Sequence, residues 1–148
     1  MEIDNKYKCF FQYVANDMTQ LNSSVIRVFK KHYPMDYEPD IEEIVKDDIH
    51  FCAHTILKLG ILDNVWYKVG KSKNLGEPDK IMFWLFSEGD FSKMTKSYNW
   101  YVWQINKEHI RIGELTGKYR HYNLGWVFPY HSIICKIKTD KFAIRELD

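Results

Sequence analysis

Residues 40–60, DIEEIVKDDIHFCAHTILKLG, carry the most regular pattern in the chain, and their reading decides the fold. Ile41, Ile44, Val45, Ile49, Cys52, Ala53, Ile56 and Leu57 recur at the spacing of one helical face. Asp40 stands where an N-cap belongs, and Glu43 takes the capping-box position. The acidic first turn suits the positive end of the helix dipole, and Gly60 falls where a glycine ends a helix. The spacing predicts one helix over this stretch.

Upstream, Met18, Leu21, Val25, Val28 and Phe29 also share a helical face, with Asn16 or Asp17 available as N-cap. Tyr7 to Val14 reads equally as an edge strand or a short helix. Downstream of Gly60 the period shifts towards two. Val65, Tyr67 and Val69 alternate with Trp66 and Lys68 as in a strand, and Ser72 to Asp79 reads as loop. Lys80 to Phe86 is a continuous apolar run, as expected of a strand covered on both faces. Glu88 to Ser97 is polar. Trp100 to Ile105 and His109 to Leu115 read as a hairpin around Asn106-Lys107-Glu108. Ser132 to Lys138 and Phe142 to Leu147 read as a second, turning at Thr139-Asp140. The expectation is an α+β fold in one domain, 1–148. Its helical N-terminal half (1–62) precedes a five- or six-stranded, mainly antiparallel bent sheet or small barrel (63–148).

The 148 residues include 24 aromatics and three cysteines. A chain of this length buries roughly 68–70% of its unfolded surface, enough for a core without disulfides or a structural metal. No run approaches the ~18–20 apolar residues of a membrane helix, and Met1-Glu2-Ile3-Asp4 does not begin like a signal peptide. The scattered Cys9, Cys52 and Cys135 suit a reducing, cytoplasmic setting.

The near-neutral total hides a separation. Met1 to Asp48 carries ten acids and six bases, with seven acids between Asp36 and Asp48. Phe91 to Lys138 carries eight bases and two acids, with Trp100, Trp103, Tyr119, Tyr122 and Trp126 interleaved. Cations attract phosphate and rings stack on unpaired bases, although a solvated sheet face over an aromatic core has the same composition.

Catalytic and metal motifs are weak. His50 and His54 stand four apart with Asp47 one turn earlier, but the position after the first histidine is Phe51 rather than the glutamate of a zinc protease. They read as helix-surface histidines without metal. Gly113 to Lys118 resembles a phosphate loop, yet has three residues between its glycines and Tyr119 after the lysine. Cys135 reads as an inert core thiol, and His131 as a hydrogen-bonded loop histidine without an implied catalytic partner. No cofactor is expected.

Trp100-Tyr-Val-Trp-Gln-Ile, Ile110-Arg-Ile-Gly-Glu-Leu-Thr-Gly-Lys-Tyr-Arg-His-Tyr122 and Phe128-Pro-Tyr-His131 together resemble PUA-like, EVE-type barrels. Such domains occur in nucleic-acid readers and in some Mrr-type restriction proteins. The resemblance spans about 99–138 and implies a pocket that stacks a modified or flipped base between aromatics.

Two functional expectations follow. One is a non-enzymatic nucleic-acid reader in a defence setting. Its phosphate contacts would be Lys93, Lys96, Lys107, Arg111, Lys118 and Arg120, and its base pocket Trp103, Tyr119, Tyr122, Trp126 and His131. The alternative is a small inhibitor or immunity-type protein that blocks a partner enzyme such as a nuclease or toxin. There Asp36, Glu38 and Asp40 would meet a basic partner.

Overall fold

Ser23–Pro34, SSVIRVFKKHYP, is rich in β-branched and aromatic residues that fit a pleated surface. In a computed structural model, which describes residues 1–86 and 98–142, this segment is a strand and not a helix. Val25 to Phe29 are all buried, as in a strand covered on both faces. Ile26 and Val28 enter the main core, whereas Val25 joins a second cluster with Phe83 and Trp103. A two-sided apolar run supplies residues at helical spacing by accident, which is what produced the expected helix over Met18 to Phe29.

Five strands form the first sheet. In spatial order they are β1 (Glu2–Ile3), β2 (Tyr7–Asp17), β3 (Ser23–Pro34), β4 (Ile49–Thr55) and β9 (Val127–Phe128). The β2–β3 register shifts between Cys9 and Phe11 and again between Tyr13 and Ala15. Such irregularities break the two-residue alternation, so Tyr7 to Val14 offers no clean period.

The 40–60 stretch divides into three. Asp40 does cap a helix, its Oδ1 accepting from the Glu43 amide at 3.3 Å, but α1 is only Ile41–Ile44. Asp47 then binds the Lys31 amide at 2.7 Å and the Asp48 amide at 2.7 Å, and the chain enters β4. The third piece, α2, is Leu57–Leu62. Gly60 lies inside it because the Trp66 indole occupies the space of a side chain: a Cβ there would sit 2.0 Å from Trp66 Cε2.

The second sheet follows the order β7 (Ile110–Gly113), β6 (Trp100–Gln104), β5 (Met82–Phe86), β8 (Asn123–Leu124). Its β6–β7 hairpin turns through Asn106 at φ 60°. The expected strand at 65–69 is loop. The expected strand over Ser132 to Lys138 is instead helix α3, Tyr130–Thr139, with Ile133 and Ile137 buried one turn apart and Asp140 closing it at φ 63°. The polar segment Glu88 to Ser97, and Ala143 to Leu147 of the expected last strand, lie outside the described residues.

The α+β division is therefore overturned. Among the described residues the protein is mostly β, nine strands in two sheets with three short helices, and its N-terminal part is not helical. The Asn123 side chain fastens the two sheets together, accepting from the Cys52 amide at 2.8 Å and donating to the Met82 carbonyl at 3.1 Å. No helix among the described residues is long and apolar enough to cross a membrane.

Candidate protein-binding face

The described residues expected to read nucleic acid range from buried to exposed. Trp103, one of the rings of that expectation, is 1% exposed and donates its indole N–H to Asp17 Oδ2 at 2.7 Å. Tyr119 and Tyr122 stand edge to face at 5.6 Å and pack against the core, with Lys118 Nζ 5.4 Å from the Tyr119 ring centre. Trp126 is 38% exposed. Lys107, Arg120 and His131 are exposed, and Arg111, also exposed, donates to Asn99 Oδ1. Lys93 and Lys96 lie outside the described residues.

The two histidines expected on a helix surface both lie on β4 and serve different partners. His50 pairs with Asp140. His54 is wholly buried, its Nε2–H donating to Asp17 Oδ2 at 2.9 Å, while its Nδ1 has no hydrogen-bond partner among the described residues. The Asp17 carboxylate also accepts from Thr19 Oγ1 and the Asn106 amide, each at 3.1 Å. Burial works against this carboxylate, but the bonds from His54, Trp103, Asn106 and Thr19 outweigh it and hold the carboxyl below its ordinary value. Burial lowers the His54 value more than the Asp17 charge raises it, so the ring stays neutral. Both side chains are 0% exposed, so no substrate reaches the pair. It joins β2 and β4 of one sheet to β6 of the other. No group of three or more His, Cys, Asp or Glu among the described residues is arranged to hold a metal ion.

The open feature lies elsewhere, in an apolar groove of about 590 Å³ beside β2. Phe10 to Val14 form one wall, and the loop from Trp66 to Leu75 with Leu57 and Ile61 of α2 forms the other. Trp66 anchors this loop. It donates its Nε1–H to the Leu57 carbonyl at 3.0 Å and meets Phe11 edge to face at 5.0 Å. Buried Arg27 holds the far end, donating to Gln12 Oε1 at 2.8 Å, the Asn74 carbonyl at 2.8 Å and the Val45 carbonyl at 3.4 Å. Gly76, at φ 69°, leaves the guanidinium its room, since a Cβ there would lie 2.3 Å from an Arg27 nitrogen.

The rim of the groove is apolar as well. Six of the eleven large hydrophobic residues exposed among the described residues fall between Ile56 and Val69, with Tyr67 at 55% and Ile61 at 53%. Of these, Ile61, Tyr67 and Val69 line the groove itself, and exposed apolar surface gathered at a groove marks interaction sites. Lys68 and Lys71 are the charged side chains that line the groove, and no carboxylate lines it.

The acidic β3–α1 connection abuts this loop, because Ile41 of α1 packs against Gly70. Tyr37 shapes it: its ring stacks on Tyr33 at 4.1 Å and its hydroxyl donates to Glu43 Oε2 at 2.9 Å. Asp36, Glu38 and Asp40 are all exposed. Asp40 is used as the helix cap, whereas the Asp36 and Glu38 carboxylates have no hydrogen-bond or ion-pair partner among the described residues. These acids form a visible run in the sequence, whereas the walls of the groove come from segments some fifty residues apart and leave no local signal.

A family model described as immunity protein 26 matches residues 1–97. The matched span holds every residue lining the groove and the whole acidic connection. It excludes Trp103, Lys107, Arg111, Lys118, Tyr119, Arg120, Tyr122, Trp126 and His131, and with them the segment that resembles PUA-like barrels. No curated protein and no solved structure matches the chain.

Proposed function

The chain belongs to the immunity protein 26 family, and from that premise we propose that it protects by binding a toxin-type partner protein and blocking it. The observation that carries this reading is the placement of the exposed apolar groove and the acidic connection together inside the family span. Asp36, Glu38 and Asp40 steer a basic partner, such as a nuclease, whose active site is built to receive phosphate. The exposed aromatic and aliphatic residues beside them supply the desolvated centre that a stable interface needs. Nucleic-acid reading has no comparable support, since Trp103 is buried and, apart from Lys93 and Lys96, the residues expected to carry it lie outside the span.

The test is inhibition. The toxin or nuclease encoded beside this chain's gene, purified and titrated with the protein, loses activity with a stoichiometric endpoint. A D36K/E38K/D40N variant, in which asparagine preserves the cap, shifts that titration while keeping the wild-type melting temperature. An unchanged enzyme at excess protein overturns the proposal.

A further inference from the structure

The groove beside β2 has a chemistry of its own, distinct from that of the acidic connection. Its walls are Phe10, Phe11, Val14, Leu57, Ile61 and Trp66 together with loop backbone, so it favours large apolar side chains. A volume of about 590 Å³ lies within the ~300–1,000 Å³ typical of sites that engulf a ligand rather than graze it. It is held open from both ends. Trp66 is locked over Gly60, and the Arg27 guanidinium ties Asn74 and Gln12, from the two sides of the groove, into one frame. A pocket held in this way loses little entropy when it is filled.

Charge decides what fills it. Lys68 and Lys71 line the groove, both are exposed, and neither has an ion-pair partner among the described residues. With no carboxylate on the lining, a basic segment would find no ion-pair partner here, whereas a carboxylate would meet the two lysine ammonium groups.

We propose that the groove is the specificity pocket of the interface and receives one segment of the partner protein, an aromatic or branched aliphatic side chain flanked by carboxylates. This rests on the immunity-type reading above. A basic partner is met by the acidic connection, and its acidic, apolar segment enters the adjoining groove, so the two contacts demand opposite charges at a fixed spacing. An enzyme that matches only one of them is rejected.

The experiment uses the full chain and a phage-displayed random peptide library. Selection on the wild-type protein, with a K68E/K71E variant as counter-selection, yields peptides that carry an aromatic or aliphatic residue beside Asp or Glu. Their synthetic versions bind wild-type protein and weaken about tenfold or more on K68E/K71E and on Y67A. All three positions are exposed, and unchanged melting temperatures confirm that the variants are folded. Recovery of basic peptides, or of peptides indifferent to these substitutions, overturns the groove assignment. The same variants in the enzyme titration separate the two proposals. Full inhibition by folded K68E/K71E and Y67A overturns the groove and leaves the immunity reading standing. If wild-type protein fails to inhibit, the immunity reading falls, and the groove proposal falls with it.

Discussion

Replacing Asp17 by asparagine keeps the side chain's volume and removes its charge. Four donors converge on this carboxylate: His54 Nε2 at 2.9 Å, Trp103 Nε1 at 2.7 Å, and Thr19 Oγ1 and the Asn106 amide at 3.1 Å each. An amide has one oxygen. If that oxygen stays with Thr19 and Asn106, the new NH₂ group faces two N–H donors. His54 can shift its proton to Nδ1, where nothing receives it, while the Trp103 indole cannot change its role. Two charge-assisted bonds at about 1.5–3 kcal/mol each, less what relaxation recovers, give a loss of about 3–5 kcal/mol. That corresponds to a fall in melting temperature on the order of 10 °C for a chain of this size. Chemical denaturation at pH 7 measures the first quantity and a thermal melt the second. A loss below about 1 kcal/mol would refute the cluster as a second fastening between the sheets, beside Asn123. Because both side chains of the pair are inaccessible, the variant should still inhibit the partner at temperatures where it stays folded. Loss of inhibition by folded protein would show that the pair takes part in function after all.

The same cluster sets a pH dependence. His54 is held neutral in the fold, so the unfolded chain takes up that proton first, and stability should decline as pH falls through about 6.5. Asp17, whose carboxyl is lowered in the fold, adds a further decline below about 3.8, and a His54→Gln variant should lose the first decline and keep the second in urea midpoints measured across pH. Gly60→Ala places a Cβ 2.0 Å from Trp66 Cε2, and such overpacking should cost about 1–3 kcal/mol in denaturant melts and shift the tryptophan emission. Arg27→Met releases the Asn74 and Val45 carbonyls, so limited proteolysis should cut within residues 67–76 far sooner than in the wild-type protein. Burial pushes the Cys9 and Cys52 thiols up to about 11 and about 12, so a thiol reagent at pH 8 should modify the half-buried Cys135 first.

The legible parts of the fold were those with strong local chemistry. The β5 run, the β6–β7 hairpin and the Asp40 cap are set by residues close in sequence, and all three form where the pattern places them. The 40–60 stretch misled because its apolar spacing fits both a helix and a strand covered on two faces. Only pairing of β4 with β3 and β9 decides between them, and such pairing carries no local signal. Ser132 to Lys138 failed in the other direction. It reads as one arm of a hairpin turning at Thr139-Asp140, yet Ile133 and Ile137 stand one turn apart on α3. Of the candidate site, Asp36, Glu38 and Asp40 were readable as a charge run. The groove was not, because Phe10 to Val14 and Trp66 to Leu75 meet only after folding. Asp17 and His54, 37 residues apart, were hidden for the same reason.

The central claim is that partner binding resides in the acidic and apolar face of residues 1–97 and not in the basic, aromatic segment that follows. The most direct measurement is the dissociation constant of the proposed toxin-type partner for two folded variants. One is D36K/E38K/D40N, the other K107Q/R111Q/K118Q/R120Q. The first should bind about tenfold or more weakly, a change of at least about 1.4 kcal/mol, while the second should bind as the wild-type protein does. Tight binding by the first with loss in the second would contradict it.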